Sequence, residues 1–388
     1  MQVKSEKPGR YVIVCCCLAV FLFKSEAQST LQYSGYTKDL LSVVQVRDTE
    51  TSWDNLIHNR AMFKWQIDTA WILRADVRSR IFFGDQVQHQ MFGERIDQAA
   101  NDVLDLSIGT PAGDHVYLHS YLDRLYVEYE KRKLFIRAGR QRINWGINTL
   151  WNPNDIFNAY AFTDFDYEER PGSDAISIRY YTGDLSSIEF AGKIGNDTRD
   201  GALAARWRSH LGTYDLQIIG GYLTESRNVV AGGGWAGNLK NWGFKGEGSV
   251  FIPVEEEENI GASVSMGWDY VFRSGVLVGF GGLYNALGKT SGGLEELFAF
   301  ELSARNLYPF RWTINASTGF SIHPLVSTSL TAVYSFATSN PVFVSPAITW
   351  SVSQNMDLDL VAQIVLQESG MKYGSPVQAG FLRVKWSY

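Results

Sequence analysis

Cysteine is confined to one place in this chain. The 388 residues include three, Cys15, Cys16 and Cys17, all inside an apolar run near the N-terminus. That run, Tyr11 to Phe23, follows the basic residues Lys4, Lys7 and Arg10 and precedes Ser25-Glu26-Ala27. Basic flank, apolar stretch and small-residue exit together predict a signal peptide over 1–27, cleaved before Gln28. Thirteen residues are too few for an anchored membrane helix, which needs about 20. The mature chain, 28–388, then has no cysteine. Disulfides, thiolate metal sites and cysteine nucleophiles are excluded from it.

Long hydrophobic runs are absent beyond that segment, so a helical membrane span is not expected. A basic surplus is absent too. The formal charge is −6, and removing four basic and two acidic residues with the signal makes it −8. That is a poor balance for binding nucleic acid, which calls for a basic face. Proline is scarce (10), whereas Gly (36), Phe (22), Tyr (19) and Trp (12) are plentiful. No G-x-S-x-G or H-E-x-x-H motif occurs. His115 and His119 can share a strand face, but two imidazoles without a third ligand make a weak metal site. No cofactor and no enzymatic activity are expected.

What is present is alternation. In IHNRAMFKWQID, Ile57, Ala61, Phe63, Trp65 and Ile67 fall on one face, while His58, Arg60, Lys64 and Asp68 fall on the other. In WILRADVRSRIFF, Trp71, Leu73, Ala75, Val77, Ile81 and Phe83 oppose Arg74, Asp76, Arg78 and Arg80. Period two with bulky apolar groups on one side and charge on the other suits a strand between two solvents. The runs often reach ten or more residues. Soluble strands average about 5–6, and membrane barrel strands need about 9–11. The C-terminal QAGFLRVKWSY alternates in the same way and ends on an aromatic residue. It resembles the last strand of bacterial outer-membrane barrels, with Trp386 and Tyr388 as its assembly signal.

Tight and long connections also alternate along the chain, as short inner turns and longer outer loops do in such barrels. Eighteen strands (range 16–18) are expected, the first near 31–44 and the last near 377–388, with both ends at the same rim. LEELFAFELSAR, Leu294 to Arg305, is read as a short helix in an outer loop; a strand there would give an odd count. The predicted fold is all-β: a transmembrane antiparallel β-barrel with an inward-folded loop. At about 16–18 strands side chains no longer fill the bore.

The longest marked connection contains GRQRINWGINTLWNPNDIFNAYAFTDFDYEERPGSDA, Gly139 to Ala175. Its GRQ…WG…WNP.D.F pattern resembles porin-like outer-membrane barrels of Gram-negative bacteria, in the style of alginate-export-type channels. The resemblance implies an outer-membrane channel for passive diffusion of small hydrophilic solutes. It also implies lipid and the barrel-assembly machinery as partners and leaves an oligomer open. The segment 143–173 is too apolar to float in water and is expected to fold into the lumen as a constriction. Its candidate residues are Trp145, Trp151, Asp155, Asp164, Asp166, Glu168, Glu169 and Arg170. They would face a basic wall of Arg60, Arg74, Arg78, Arg80 and Arg137, giving a transverse field. Alternatively, the loop's charges pair and pin it, with Arg142 and Arg170 as the nearest cations. Asp164-x-Asp166-x-Glu168 offers Ca²⁺ oxygen ligands, without the glycine and the closing glutamate of an EF-type loop. Two other classes stand beside the channel: a barrel enzyme or assembly component, and a secreted carbohydrate-binding β-sandwich. A sandwich would show two packed layers with a dry interior.

Overall fold

Among the described residues every strand hydrogen-bonds to its neighbours in one sheet, and that sheet closes on itself. The computed structural model describes residues 29–159, 166, 172–195, 201–255, 259–298, 300, 302–370 and 372–388. The strands are β1 (Thr30–Val46), β2 (Ser52–Gln66), β3 (Trp71–Gly84), β4 (Ser107–Pro111), β5 (Val116–Lys131), β6 (Leu134–Gln141) and β7 (Ser173–Gly183). They continue with β8 (Ser186–Lys193), β9 (Ala202–Leu211), β10 (Tyr214–Leu223), β11 (Asn228–Leu239), β12 (Trp242–Pro253) and β13 (Gly261–Val271). The last six are β14 (Leu277–Asn285), β15 (Trp312–His323), β16 (Val326–Ser335), β17 (Val342–Ser353), β18 (Met356–Ser369) and β19 (Lys372–Ser387).

Each strand pairs antiparallel with the next, except that β3 pairs with β5, and β19 pairs antiparallel with β1. The short β4 lies beyond the end of β6 on the same side of β5 and pairs with β5 alone. The wall therefore has eighteen staves, as the alternation predicts. A closed barrel leaves no sheet edge and excludes the two-layer sandwich. Of Leu294 to Arg305, read from the sequence as a short helix, the residues Leu294–Phe298 are helical.

All connections at one rim are short: 67–70, 132–133, 184–185, 212–213, 240–241, 272–276, 324–325 and 354–355. The long ones, 85–115, 142–172 and 286–311, share the other rim. The outer face carries an apolar belt, with Ile176, Phe190, Leu203, Ile218, Ile314 and Leu360 all at least half exposed. Aromatics band it at both ends. Near the short-turn rim Trp268 stacks between Phe244 and Phe280 at 5.2 and 5.3 Å, and Trp71 meets Tyr129 at 4.7 Å. Near the long-loop rim Tyr284 meets Trp312 at 4.6 Å. The belt faces outward because the inward row of each strand is taken by polar groups.

A glycine sits at one end of the closing seam. The backbones of Gly35 and Tyr388 exchange two hydrogen bonds of 2.9 Å, and the Tyr388 ring lies over Gly35. A Cβ at Gly35 would sit 2.5 Å from the Tyr388 hydroxyl oxygen and 2.6 Å from its Cζ, too close to fit. Gly35→Val should displace the terminal tyrosine and weaken the β1–β19 seam. The expected result is a lower temperature for loss of the folded, fast-migrating band in unheated detergent gels. An unchanged transition would mean that the seam does not need this contact.

Candidate functional site

The connection 142–172 enters the barrel because small residues on the inner wall leave room for it. Ile143, Trp145, Ile156 and Phe157 pack on Ala175, Ala191, Ala202 and Ala204 of β7–β9 and on Ile219, Leu223, Val230 and Phe251 of β10–β12. At β11 even a methyl group is too much: a Cβ on Gly234 would lie 2.7 Å from Ile147 Cδ1. Trp145 is 1% exposed and meets Phe157 edge-on at 5.0 Å, with the Arg206 guanidinium 5.2 Å from its ring. Trp151 reaches a second apolar cluster with Leu283, Leu307, Tyr308, Phe310, Val333, Phe343 and Val365. Tyr308 belongs to the connection 286–311, so two long loops meet inside the bore. Burial pushes the Tyr308 hydroxyl up to about 12.

Polar contacts fix the segment at two opposite sides. On β12 the carboxyl group of Glu247, fully buried, accepts the backbone N–H groups of Ile147 (3.0 Å), Asn148 (2.8 Å) and Asn154 (3.1 Å). Asn148 Nδ2 donates to Ser265 Oγ at 2.6 Å, and Gln217 Nε2 donates to the Trp145 carbonyl at 2.6 Å. About half the circumference away, Asp166 Oδ1 accepts from Lys38 Nζ of β1 and Arg383 Nη1 of β19, both at 3.0 Å. The segment therefore crosses the bore.

Arg60, Arg74, Arg78, Arg80 and Arg137 all lie on inward rows. Arg60 bonds Asp76 at 2.7 Å and Asp123 at 2.8 Å, and Arg74 bonds Asp76 at 2.9 Å. Arg78 donates to the Tyr121 hydroxyl at 3.0 Å. Arg80 lies 2.9 Å from His119 Nδ1, whose ring reaches Asp97 through Nε2 at 2.8 Å. Arg137 pairs with Glu128 and stacks on Tyr126 and Phe135, so these rings serve the guanidinium. In three pairs on the wall the cation is the more exposed member. Side-chain exposure is 34% for Arg74 against none for Asp76, 26% for Arg137 against 12% for Glu128, and 29% for Arg179 against 5% for Glu189. In these three pairs the carboxylate is set into the wall and the guanidinium group is the more open to the bore.

The opposite wall is different. The inward rows of β15–β17 carry Asn315, Ser317, Ser329, Thr331, Ser345 and Thr349. Beside the loop tip, Thr149 and Leu150, the last four of these border an open space of about 360 Å³ that also touches Asp359, Gln363 and Arg383. A second space of about 270 Å³ lies between the tip and Lys245, Ser265 and Asp269.

Three points differ from the sequence reading. The transverse field from an acidic loop is not what the described residues show. Asp155 is buried (1% exposed) and Asp166 sits on the cationic wall, so the field runs from guanidinium groups to hydroxyls. A carboxylate within reach of two cations in a narrow, low-dielectric space gains more by pairing than by facing water. The cations that hold Asp166 are Lys38 and Arg383 of the wall. Asp164, Glu168, Glu169 and Arg170 lie outside the described residues, so two of the three suggested Ca²⁺ ligands do as well; the third, Asp166, is engaged by cations. Finally, the connection 85–115 also turns inward. Its helix Phe92–Ala100 places Phe92 edge-on against Phe82 and Tyr117, and Asp97 against His119. Sequence reading missed this segment, and it missed Glu247. The signal for the latter was KGEG, a lone inward carboxyl group between glycines, which marks close backbone approach.

At the C-terminus Trp386 is outward and half exposed, and its ring meets Tyr388 at 5.3 Å.

No family model matches the chain, and no curated protein matches its sequence. Solved structures share its fold. OccK5 (OpdH) of Pseudomonas aeruginosa superposes with a TM-score of 0.62 at 7% identity, over 92% of this chain and 97% of that one. OccAB4 of Acinetobacter baumannii gives 0.60 at 9% identity, over 94% and 100%. OpdK of P. aeruginosa, solved with vanillate, gives 0.57 at 8% identity, over 92% and 98%. At such identities the likeness is one of fold, and the fold of this chain is that of a porin-like β-barrel.

Proposed function

We propose that this protein is a porin-like channel of a Gram-negative outer membrane, passing small hydrophilic solutes by diffusion. The observation that carries the reading is the segment 142–172, held at Glu247 on one side and at Lys38 and Arg383 on the other. An eighteen-stave tube is too wide for side chains to fill. A strap across it narrows the bore and leaves open space beside its tip. The apolar outer belt with aromatics at both ends suits lipid. The domain reading follows: a signal peptide over 1–27, a barrel over 28–388 and a constriction over 143–173. The last strand, ending in Trp386 and Tyr388, is the element offered to the assembly machinery. The narrower resemblance to alginate-export-type channels rests on the sequence block alone. We read the protein as non-enzymatic: its charged inward residues are paired as wall and pins.

The preferred solutes are anions. Arg74, Arg137 and Arg179 are the exposed members of their ion pairs, and a cationic surface with low-dielectric walls concentrates anions. The neighbour solved with vanillate, a small carboxylate, agrees with this. In planar bilayers the purified protein should give discrete conductance steps, and a KCl gradient should give a reversal potential of the sign for chloride preference. Charge reversal at Arg74 and Arg137 (R74E, R137E) should move that potential towards zero or beyond. A bilayer-silent protein released from cells without detergent would overturn the channel reading. A potassium-preferring channel would overturn only the anion preference.

A further inference from the structure

The inward hydroxyl groups of β15–β17 differ from the polar groups of the facing wall. Ser317, Thr331 and Ser345 are successive register partners across three adjacent staves. Ser321 pairs with Ser327 nearer the short-turn rim, and Ser329 lies between the two rows. Among the described residues, none of these hydroxyl groups hydrogen-bonds to the protein. Thr349, beside them, is already engaged: its Oγ1 donates to Asp359 Oδ1 at 2.6 Å. On β2–β6, by contrast, Arg60, Arg74, Arg78, Arg80 and Arg137 all have partners within the wall. The free hydroxyls also border open space. Ser329, Thr331 and Ser345 line the space of about 360 Å³ beside the strap tip, and Ser317 lines the one of about 270 Å³. A further space of about 340 Å³ shares Ser329, Ala347 and Thr349 with the first and adds Ser321 and Ser327. Open space therefore follows one wall from the strap tip towards the short-turn rim, while the apolar side of the strap packs on β7–β12.

We infer that this wall is the recognition surface of the passage and that it takes polyhydroxylated solutes. The inference rests on the channel reading above. A hydroxyl group donates and accepts, and its hydrogen turns to suit the partner. A row of them answers the hydroxyls of a sugar or polyol, which donate and accept in the same way. Adjacent staves lie about 4.7–4.9 Å apart, so the solute meets regularly spaced partners and exchanges one for the next as it moves. Such binding is weak and repeated, which lets a solute enter and also leave. The space of about 360 Å³ falls within the range of small-molecule sites, about 300–1,000 Å³. Charge is sorted elsewhere, by the guanidinium groups of β3, β6 and β7. Among solutes of equal charge, the hydroxyl wall therefore favours the one that carries more hydroxyl groups. An apolar chain gains nothing from it.

Gluconate and hexanoate provide the test, because they share chain length and charge and differ in hydroxylation. In planar bilayers, millimolar gluconate on one side should interrupt the chloride current, and hexanoate at the same concentration should not. The double variant Thr331→Val, Ser345→Ala removes two neighbouring hydroxyls with little change of shape. It should need about tenfold more gluconate for the same block, as expected for two net hydrogen bonds. Thr318→Val, on the outer face of β15, should keep wild-type sensitivity. The folded band in unheated gels shows that each variant has assembled. Equal block by the two anions, or unchanged gluconate sensitivity in the folded double variant, would overturn the inference. Calorimetric titration of the purified protein with gluconate separates this from failure of the channel reading. Binding that the double variant weakens, in a protein that passes no current, would uphold the recognition surface and sink the channel; current without gluconate binding would do the reverse.

Discussion

Replacing residues 147–167 with a short Gly-Ser linker is expected to raise single-channel conductance by a factor on the order of two or more, because an eighteen-stave bore is otherwise unfilled. The segment is held by tertiary contacts, so a milder change should reveal the same device. Glu247→Ala leaves the N–H groups of Ile147, Asn148 and Asn154 without an acceptor in a dry site. Each such loss costs about 1–3 kcal/mol, enough to free that end of the strap. Glu247→Ala should therefore give intermediate, noisy conductance. Glu247→Gln keeps a carbonyl acceptor and should remain close to wild type. If the deletion leaves conductance unchanged, the strap does not limit the passage.

Asp76→Leu should be among the most destabilising single changes in the wall. Its carboxylate is fully buried and accepts from Arg60 at 2.7 Å and from Arg74 at 2.9 Å. Arg60 is itself 1% exposed, with Asp123 as its other carboxylate. Loss of Asp76 leaves Arg60 with Asp123 alone and takes one carboxylate from a buried ion network, where breaking a pair costs about 3–5 kcal/mol. Replacing the pair by apolar residues avoids most of that cost. Arg60→Met combined with Asp76→Leu should therefore be more stable than Asp76→Leu alone, although it carries more substitutions. Urea unfolding in lipid vesicles measures both. A single variant within about 1 kcal/mol of wild type would mean that water reaches Arg60 and supports it.

Much of the barrel was legible because its rule is local. The rows Ile57–Ala61–Phe63–Trp65 and Arg74–Asp76–Arg78–Arg80 declare their faces through neighbours two residues apart. Strand length and the alternation of tight and long connections then suggest the stave count. The aromatic richness of 142–172 likewise pointed to packing on a surface. The contacts that hold the segment were not legible. Asp166 and Arg383 lie 217 residues apart, and Ile147 and Glu247 lie 100 apart. No periodic pattern links such positions. The inward turn of 85–115 was hidden for a related reason. Its polar helix has few apolar residues, and its docking depends on Phe82, Tyr117 and His119, which belong to other strands.

The amino-acid sequence by itself determined that each segment has a greasy side and a wet side, how long the segments are, and hence that they build a wide closed wall. Those properties arise within a few residues, from the two-residue pleat. Only the tertiary structure decided which wall groups grip the strap, which member of an ion pair is the more open to the bore, and that hydroxyl groups on three separate strands fall into one row. These depend on the register between strands, and register is set by the whole sheet closing on itself.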